Sequence, residues 1–171
     1  NTPTLQLETE NVLIPQKSIL YKVTSKNIDR IYAKIIRTDF DLYEKNTSRQ
    51  NTAQIIEYIL GLPSLKSFDY AVYNPENYQT YSFENSLEGL EKGFYVLMLS
   101  SNKNFSYDNE NVSYKTFWVS NISSINKPDQ DQIHILDRQT GEPIAKASVI
   151  LHQNKYDYKT RMYENKIMGT F

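Results

Sequence analysis

Residues 18–36 read SILYKVTSKNIDRIYAKII, and apolar side chains fall on alternate positions twice within them. Ile19, Tyr21 and Val23 share one face of the first run; Ile31, Ala33 and Ile35 share one face of the second. A period of two is the repeat of a pleated strand with one buried face, and a helix cannot satisfy it. The short link SKNID between the two runs predicts an antiparallel pair.

The same grammar continues along the chain. LQL and VLI (5–7 and 12–14) are broken by ETEN and Pro15 and suit a first edge strand. SFDYAVYNP and NYQTYSFEN follow, then FYVLML after Gly93, an apolar run of the length of a central strand. VSYKTFWVSNIS closes the set, with Tyr114, Thr116 and Trp118 opposite Lys115, Phe117 and Val119. One segment breaks the pattern. In NTSRQNTAQIIEYILGLP, Ile55, Ile56, Ile59 and Leu60 recur at helical spacing. Ser48 and Asn51 are candidate N-caps, and Gly61 with Pro63 is a stop. A helix is expected over about residues 50–60. Its Ile55, Ile59 and Leu60 are expected to pack over a sheet edge or end and to blunt pairing with other chains. Fourteen Tyr, seven Phe and many β-branched residues fit half-buried sheet surfaces. About seven strands at this spacing predict an all-β fold, an immunoglobulin- or fibronectin-like antiparallel β-sandwich with a helical insertion. Trp118, Phe94, Leu97, Leu99, Ile19, Tyr21, Ile31 and Ile35 are its expected core.

SINKPDQDQ (124–132) reads as a linker. The expected organisation is one sandwich over residues 1–125, then the start of a second, truncated one over 126–171. The latter is too short to fold alone without a staple, so its strands should be partly unsatisfied or paired with another chain. Within it, DRQTGEPIAKASVIL places Thr140, Gly141, Glu142 and Pro143 between two apolar runs. Gly141 supplies a backbone conformation that other residues resist, Pro143 fixes φ, and Asp137 and Thr140 can accept from nearby amides. A hairpin is expected, joining QIHILD to KASVILHQ.

These residues resemble the junction between successive macroglobulin-type domains of bacterial alpha-macroglobulins. Phe117, Val119, Ser120, Asn121 and Ile122 match a last strand of the form F-x-V-S/T-D/N-I/L. Asp137, Thr140, Gly141, Pro143, Ile144, Ala147 and Val149 match a following D-x-x-T-G-x-P-I/V-x-x-A-x-V. Leu90, Gly93, Tyr95, Val96, Leu97 and Ser100 are similar to the family's L-p-x-G-x-Y-v-l-x-a-S strand. SILYKVTSKNIDRIYAKIIR is similar to its strand pair around a y-k-N turn. The helix ending in ILGLPSLKSF is similar to an insertion in large proteins of this kind from Bacteroides-like bacteria. The resemblance implies scaffold domains of a protease-trapping inhibitor. Their partners would be neighbouring macroglobulin domains of the same polypeptide and, through the full-length protein, target proteases. It also implies export to the periplasm or cell envelope, with a lipoprotein anchor outside this segment. The family's thioester needs a Cys, and this chain has none.

Charge and motifs limit the alternatives. A formal net charge of -1 does not suit nucleic acid, which needs a basic surface. No run approaches the ~20 apolar residues of a membrane span, and no signal peptide opens the polar first segment, so the chain is expected to start inside a gene product or after a cleaved leader. His134 and His152, read on adjacent strands of the expected hairpin, can approach as a metal pair, yet no carboxylate accompanies them at ligand spacing. Asp39, Asp41 and Glu44 can form a calcium loop or acid pair but lack the D-x-D-x-D-G spacing, and a solvated strand end is the commoner reading. Tyr70, Tyr73, Tyr78 and Tyr81 can stack sugars, though cross-strand aromatic pairs are more frequent. The NTS, NFS, NVS and NIS sequons are uninformative in so Asn-rich a chain. No nucleophile elbow, phosphate loop or H-E-x-x-H motif is present. The expectation is a non-enzymatic chain with no catalytic residue, cofactor site or metal site. An adhesion or glycan-binding module of a bacterial surface protein is the alternative, and T-G-E-P alone permits a carboxypeptidase-type accessory domain.

Overall fold

Strand Ile19–Lys26 (β3) lies between Thr4–Glu8 (β1) and Tyr81–Leu87 (β6) in a three-stranded antiparallel sheet. Five further strands form the facing sheet: Val12–Leu13 (β2), Arg30–Thr38 (β4), Ser64–Ala71 (β5), Gly93–Ser100 (β7) and Val112–Val119 (β8), in the order β2-β8-β7-β4-β5. This is an immunoglobulin-like β-sandwich. The computed structural model describes residues 2–75, 77–108, 110–127, 132–158 and 162–171. It divides into two units, Asn1–Asn121 and Ile122–Phe171.

β3 and β4 are therefore not the expected pair. Both bury the faces read from the sequence, but in opposite sheets, so Ile19, Tyr21 and Val23 meet Ile31, Ala33 and Ile35 across one core. Alternation states which face is buried and is silent on which strand lies alongside. The three-residue link carries Asn27 at φ 53, a left-handed conformation that asparagine tolerates, and turns Ile28 into the core. The first edge strand is likewise two strands, since the chain leaves the small sheet after β1 and joins the large one as β2. β2 runs parallel to β8, with Val12 opposite Trp118 and Leu13 opposite Val119.

Leu5, Leu7, Ile19, Tyr21 and Val23 from one sheet close on Ile31, Ile35, Leu97, Leu99 and Phe117 from the other. Fully burying one such side chain contributes about 1.5–3 kcal/mol. A second core lies on the opposite side of the large sheet. There Phe40–Thr47 (α1) and Thr52–Gly61 (α2) intervene between β4 and β5. Ile56 and Ile59 of α2 pack with Ile36, Val96, Met98, Phe105 and Val112. The insertion thus covers a sheet face, not the edge expected for it. It has to: β7 carries large apolar residues at consecutive positions, and Phe94, Val96 and Met98 would otherwise face water.

The sequence fixes α2 through Asn51, whose side chain accepts from the Gln54 amide while the Gln54 side chain accepts from the Asn51 amide, a capping box. The second expected N-cap, Ser48, instead ends α1. That first helix is absent from the sequence reading because FDLYEKNT has no long apolar stripe. Asp39 starts it by accepting from the Leu42 amide at 3.0 Å. One core expectation also changes. Trp118 is 40 % exposed on the outer face of β8, because the inward face of that strand is the one carrying Phe117 and Val119. The other seven expected core residues are buried.

Gly89 marks a close approach of two chain segments: a Cβ there would sit 2.3 Å from the Gln16 carbonyl carbon, beside the Gln16 N–H to Leu90 carbonyl bond.

In the second unit, Ile122–Lys127 (β9) pairs with Gln132–Asp137 (β10), and Ile150–Asp157 (β11) with Met162–Thr170 (β12), both antiparallel. Residues 124–127 of the expected linker are therefore strand, and 128–131 lie outside the described residues. The expected hairpin around Gly141 is shorter than read. Its second arm ends at Pro143 and Ile144: Pro143 lies opposite Leu136, with the Asp137 amide donating to the Glu142 carbonyl and the Ile144 amide to the Ile135 carbonyl, and KASVILHQ goes on to pair with β12. The turn itself forms as the residues imply. Gly141 sits at φ 74, Asp137 Oδ1 accepts from the Gln139 and Thr140 amides, and Thr140 Oγ1 accepts from the Glu142 amide.

Candidate functional site

Exposed aromatic side chains of the first unit group in two places, with Tyr107 apart from both. The first is the outer face of the large sheet where α1 begins. The Asp39 cap sets the helix start so that Phe40 reaches Phe94 and Trp118, with ring centroids 5.2 and 5.3 Å away. Tyr43, one turn on, touches Phe94 at 5.4 Å. Phe94 is sealed beneath, while Phe40, Leu42 and Trp118 remain open to solvent. The second is the loop between β5 and β6, where Tyr73 packs edge-on to Tyr81 at 5.4 Å and Tyr78 stands exposed.

The four tyrosines singled out in the sequence thus separate. Tyr70 turns inward, its hydroxyl 3.4 Å from that of Tyr21 and its ring against Phe68 and Phe83. Tyr73, Tyr78 and Tyr81 stay on the loop side.

Asp39, Asp41 and Glu44 fall on the first turns of α1 and not around a common point. Asp39 is its cap, and Asp41 lies where the helix dipole favours negative charge. His134 is opposite Ile125 in the β9–β10 hairpin and His152 opposite Ile167 in β11–β12. The two histidines belong to separate two-stranded sheets, because β10 and β11 do not pair. Among the described residues, no three His, Asp or Glu side chains converge as metal ligands.

Shifted ionisations lie mostly in the cores. Burial raises the phenols of Tyr70, Tyr95 and Tyr114, and it pushes Tyr43 up to about 12 with help from neighbouring Tyr114. Tyr21 is raised by burial and then by its hydrogen bond to Tyr70. All are displaced away from neutrality, so these phenols stay protonated at neutral pH as packing groups. On the surface, Lys66 holds the Glu88 carboxyl below its ordinary range, bracing the edge strand β5.

The second unit presents a different surface. None of its described residues is buried as an apolar core member. Ile125 is 48 % exposed, Ile133 39 % and Ile167 58 %, and Ile122, Ile150, Met168 and Phe171 are exposed as well. Phe40 and Leu42 were missed in the sequence; the D-F-D-L order with a cap at Asp39 was the available signal.

No protein-family model and no curated protein matches the chain. Among solved structures it is similar to the crystal structure of the CARDB domain of a Pyrococcus furiosus protein in complex with di-metal ions. That likeness has 12 % identity and a TM-score of 0.40, and covers 70 % of this chain and 88 % of that one. It is similar also to the solution NMR structure of the same domain, at 12 % identity and a TM-score of 0.39, covering 68 % and 93 %.

Proposed function

We propose that this chain is a scaffold segment of a large exported protein of the alpha-macroglobulin kind, in which rigid sandwiches position protease-engaging regions located elsewhere. The observation that carries the reading is the contrast within one polypeptide. A sandwich with both faces of its central strand buried is followed by two hairpins in which Ile122, Ile125, Ile133, Ile150 and Ile167 are exposed. Such hairpins fit strands of a second sandwich that is completed by other polypeptide. The F-W-V-S-N-I and D-x-x-T-G-x-P resemblance supports the same reading, and the T-G-x-P turn has its side-chain bonds in place.

The test uses the full-length parent protein mixed with an active protease. The expected result is a complex in which the protease still cleaves a small peptide substrate but is shielded from a protein inhibitor. Free access of the inhibitor, or no complex, overturns the trap reading.

A further inference from the structure

We infer that the free edge of β5 takes up an extended peptide, added as a sixth strand of the large sheet, with apolar residues on one face and an acidic residue on the other. The inference stands apart from the trap reading.

β5 ends the order β2-β8-β7-β4-β5, and no strand lies on its outer side among the described residues. Beyond its pairing with β4, no backbone bond ties Ser64–Ala71 among those residues. An eight-residue edge without proline is a template for a further strand.

Two hollows flank this edge, one on each face of the strand. The inner hollow, about 340 Å³, opens between the two sheets and is lined by Ile35, Phe68, Leu87 and Leu90. Lys66 and Glu88 border it as an exposed ion pair, a weak barrier to entry. The outer hollow, about 550 Å³, lies over Tyr32 and Ser67 and is lined by Lys34, Lys103 and the Arg30–Asp69 pair. Successive residues of a strand point to opposite faces. A peptide laid along β5 therefore presents one set of side chains to an apolar hollow and the alternate set to a cationic one.

The outer hollow selects an acid. Arg30 and Asp69 neutralise each other, whereas Lys34 and Lys103 have no ion pair among the described residues. The Lys34 ammonium is held 4.8 Å from the ring of Phe105, which is buried in the second core. A ring face attracts a cation without cancelling its charge. On β5, the residue opposite Lys34 is Ser67, whose small side chain leaves the way open from the edge. A carboxylate beside Ser67 on the added strand reaches across to Lys34. Two residues along the same face stands Asp69, which repels a second carboxylate there. A sulfated sugar could meet Lys34 and Lys103, but it would leave the backbone edge and the inner hollow unused. Those two features decide for a peptide.

The experiment titrates the full chain with the acetylated, amidated peptide TVTVEVTVT and with its central Gln and Lys versions. Fluorescence anisotropy gives affinity, and NMR hydrogen exchange gives the place of binding. The Glu peptide is expected to bind and to slow exchange along Lys66–Tyr70. The Gln peptide should bind about three- to fivefold more weakly, and the Lys peptide more weakly still. Lys34→Gln should remove most of the difference between Glu and Gln peptides, and Lys45→Gln, on α1, should leave it unchanged. No binding of the Glu peptide at up to about 1 mM overturns the proposal. So does equal affinity for Glu and Gln, or a difference that survives Lys34→Gln combined with Lys103→Gln. Protection of β5 that rises with protein concentration and no peptide would give the edge to a second copy, and overturns it too.

Discussion

β7 and β10 are both short apolar strands, and the molecule treats them in opposite ways. β7 is buried on both faces, one against the small sheet and one beneath α1 and α2. β10 buries none of its residues and holds a single strand partner, β9. Apolar sequence alone therefore does not make a core. Two further layers do, and the first unit supplies them from its own chain.

The contrast can be broken first at its strongest point. Leu97→Ala empties a site sealed in the main core and should cost about 3–5 kcal/mol in denaturant unfolding. Loss under 1 kcal/mol would mean that the two sheets are not closely packed there. Ile59→Ala asks whether the helical layer belongs to the same cooperative unit. A loss of about 2–4 kcal/mol with one transition is expected, whereas a separate early melting of helix signal would detach the insertion from the sandwich.

Alkali should separate the units as well. The Tyr21 and Tyr43 phenols have folded values above their unfolded ones, so the stability they contribute is full below about pH 10 and is lost as pH rises through the folded values. Unfolding of the first unit on raising pH toward 12 is expected by circular dichroism. Tyr43→Phe should keep a larger fraction of its own neutral-pH stability at about pH 11 than the parent chain does. Equal fractional losses would remove Tyr43 from the account. Asn51→Ala deletes the capping box and should cost about 1 kcal/mol. Smallest of all, Ile125→Ala should change the stability of the chain by under ~0.5 kcal/mol, because that side chain belongs to no buried core. A loss comparable to that of Ile59→Ala would show that the second unit has a core after all.

Much of this was legible from periodicity. The inward faces of β3 and β4, the α2 cap at Asn51 and the Asp137–Thr140–Gly141 turn all follow from local rules, and each forms. Strand partnership was not legible, because the link after Lys26 serves a hairpin and a crossover between sheets equally well. Trp118 was misplaced for a related reason. Its strand has apolar residues on both faces, and only the position of the small sheet decides which is sealed. Of the aromatic loop between β5 and β6, the tyrosines were visible in the sequence, but the inward turn of Tyr70 and the left-handed backbone at Tyr78 were not.

The parallel pairing of β2 with β8 has a mechanical consequence. The Trp118 amide donates to Asn11 and the Ser120 amide to Leu13, so the first and last parts of the sandwich are bonded side by side and point the same way. Once β1 has yielded, tension drawing the two ends of this unit apart runs along both strands in opposite senses. It loads those bonds together in shear, and they cannot be peeled one at a time. A link in a chain under strain is thereby clamped where it is pulled.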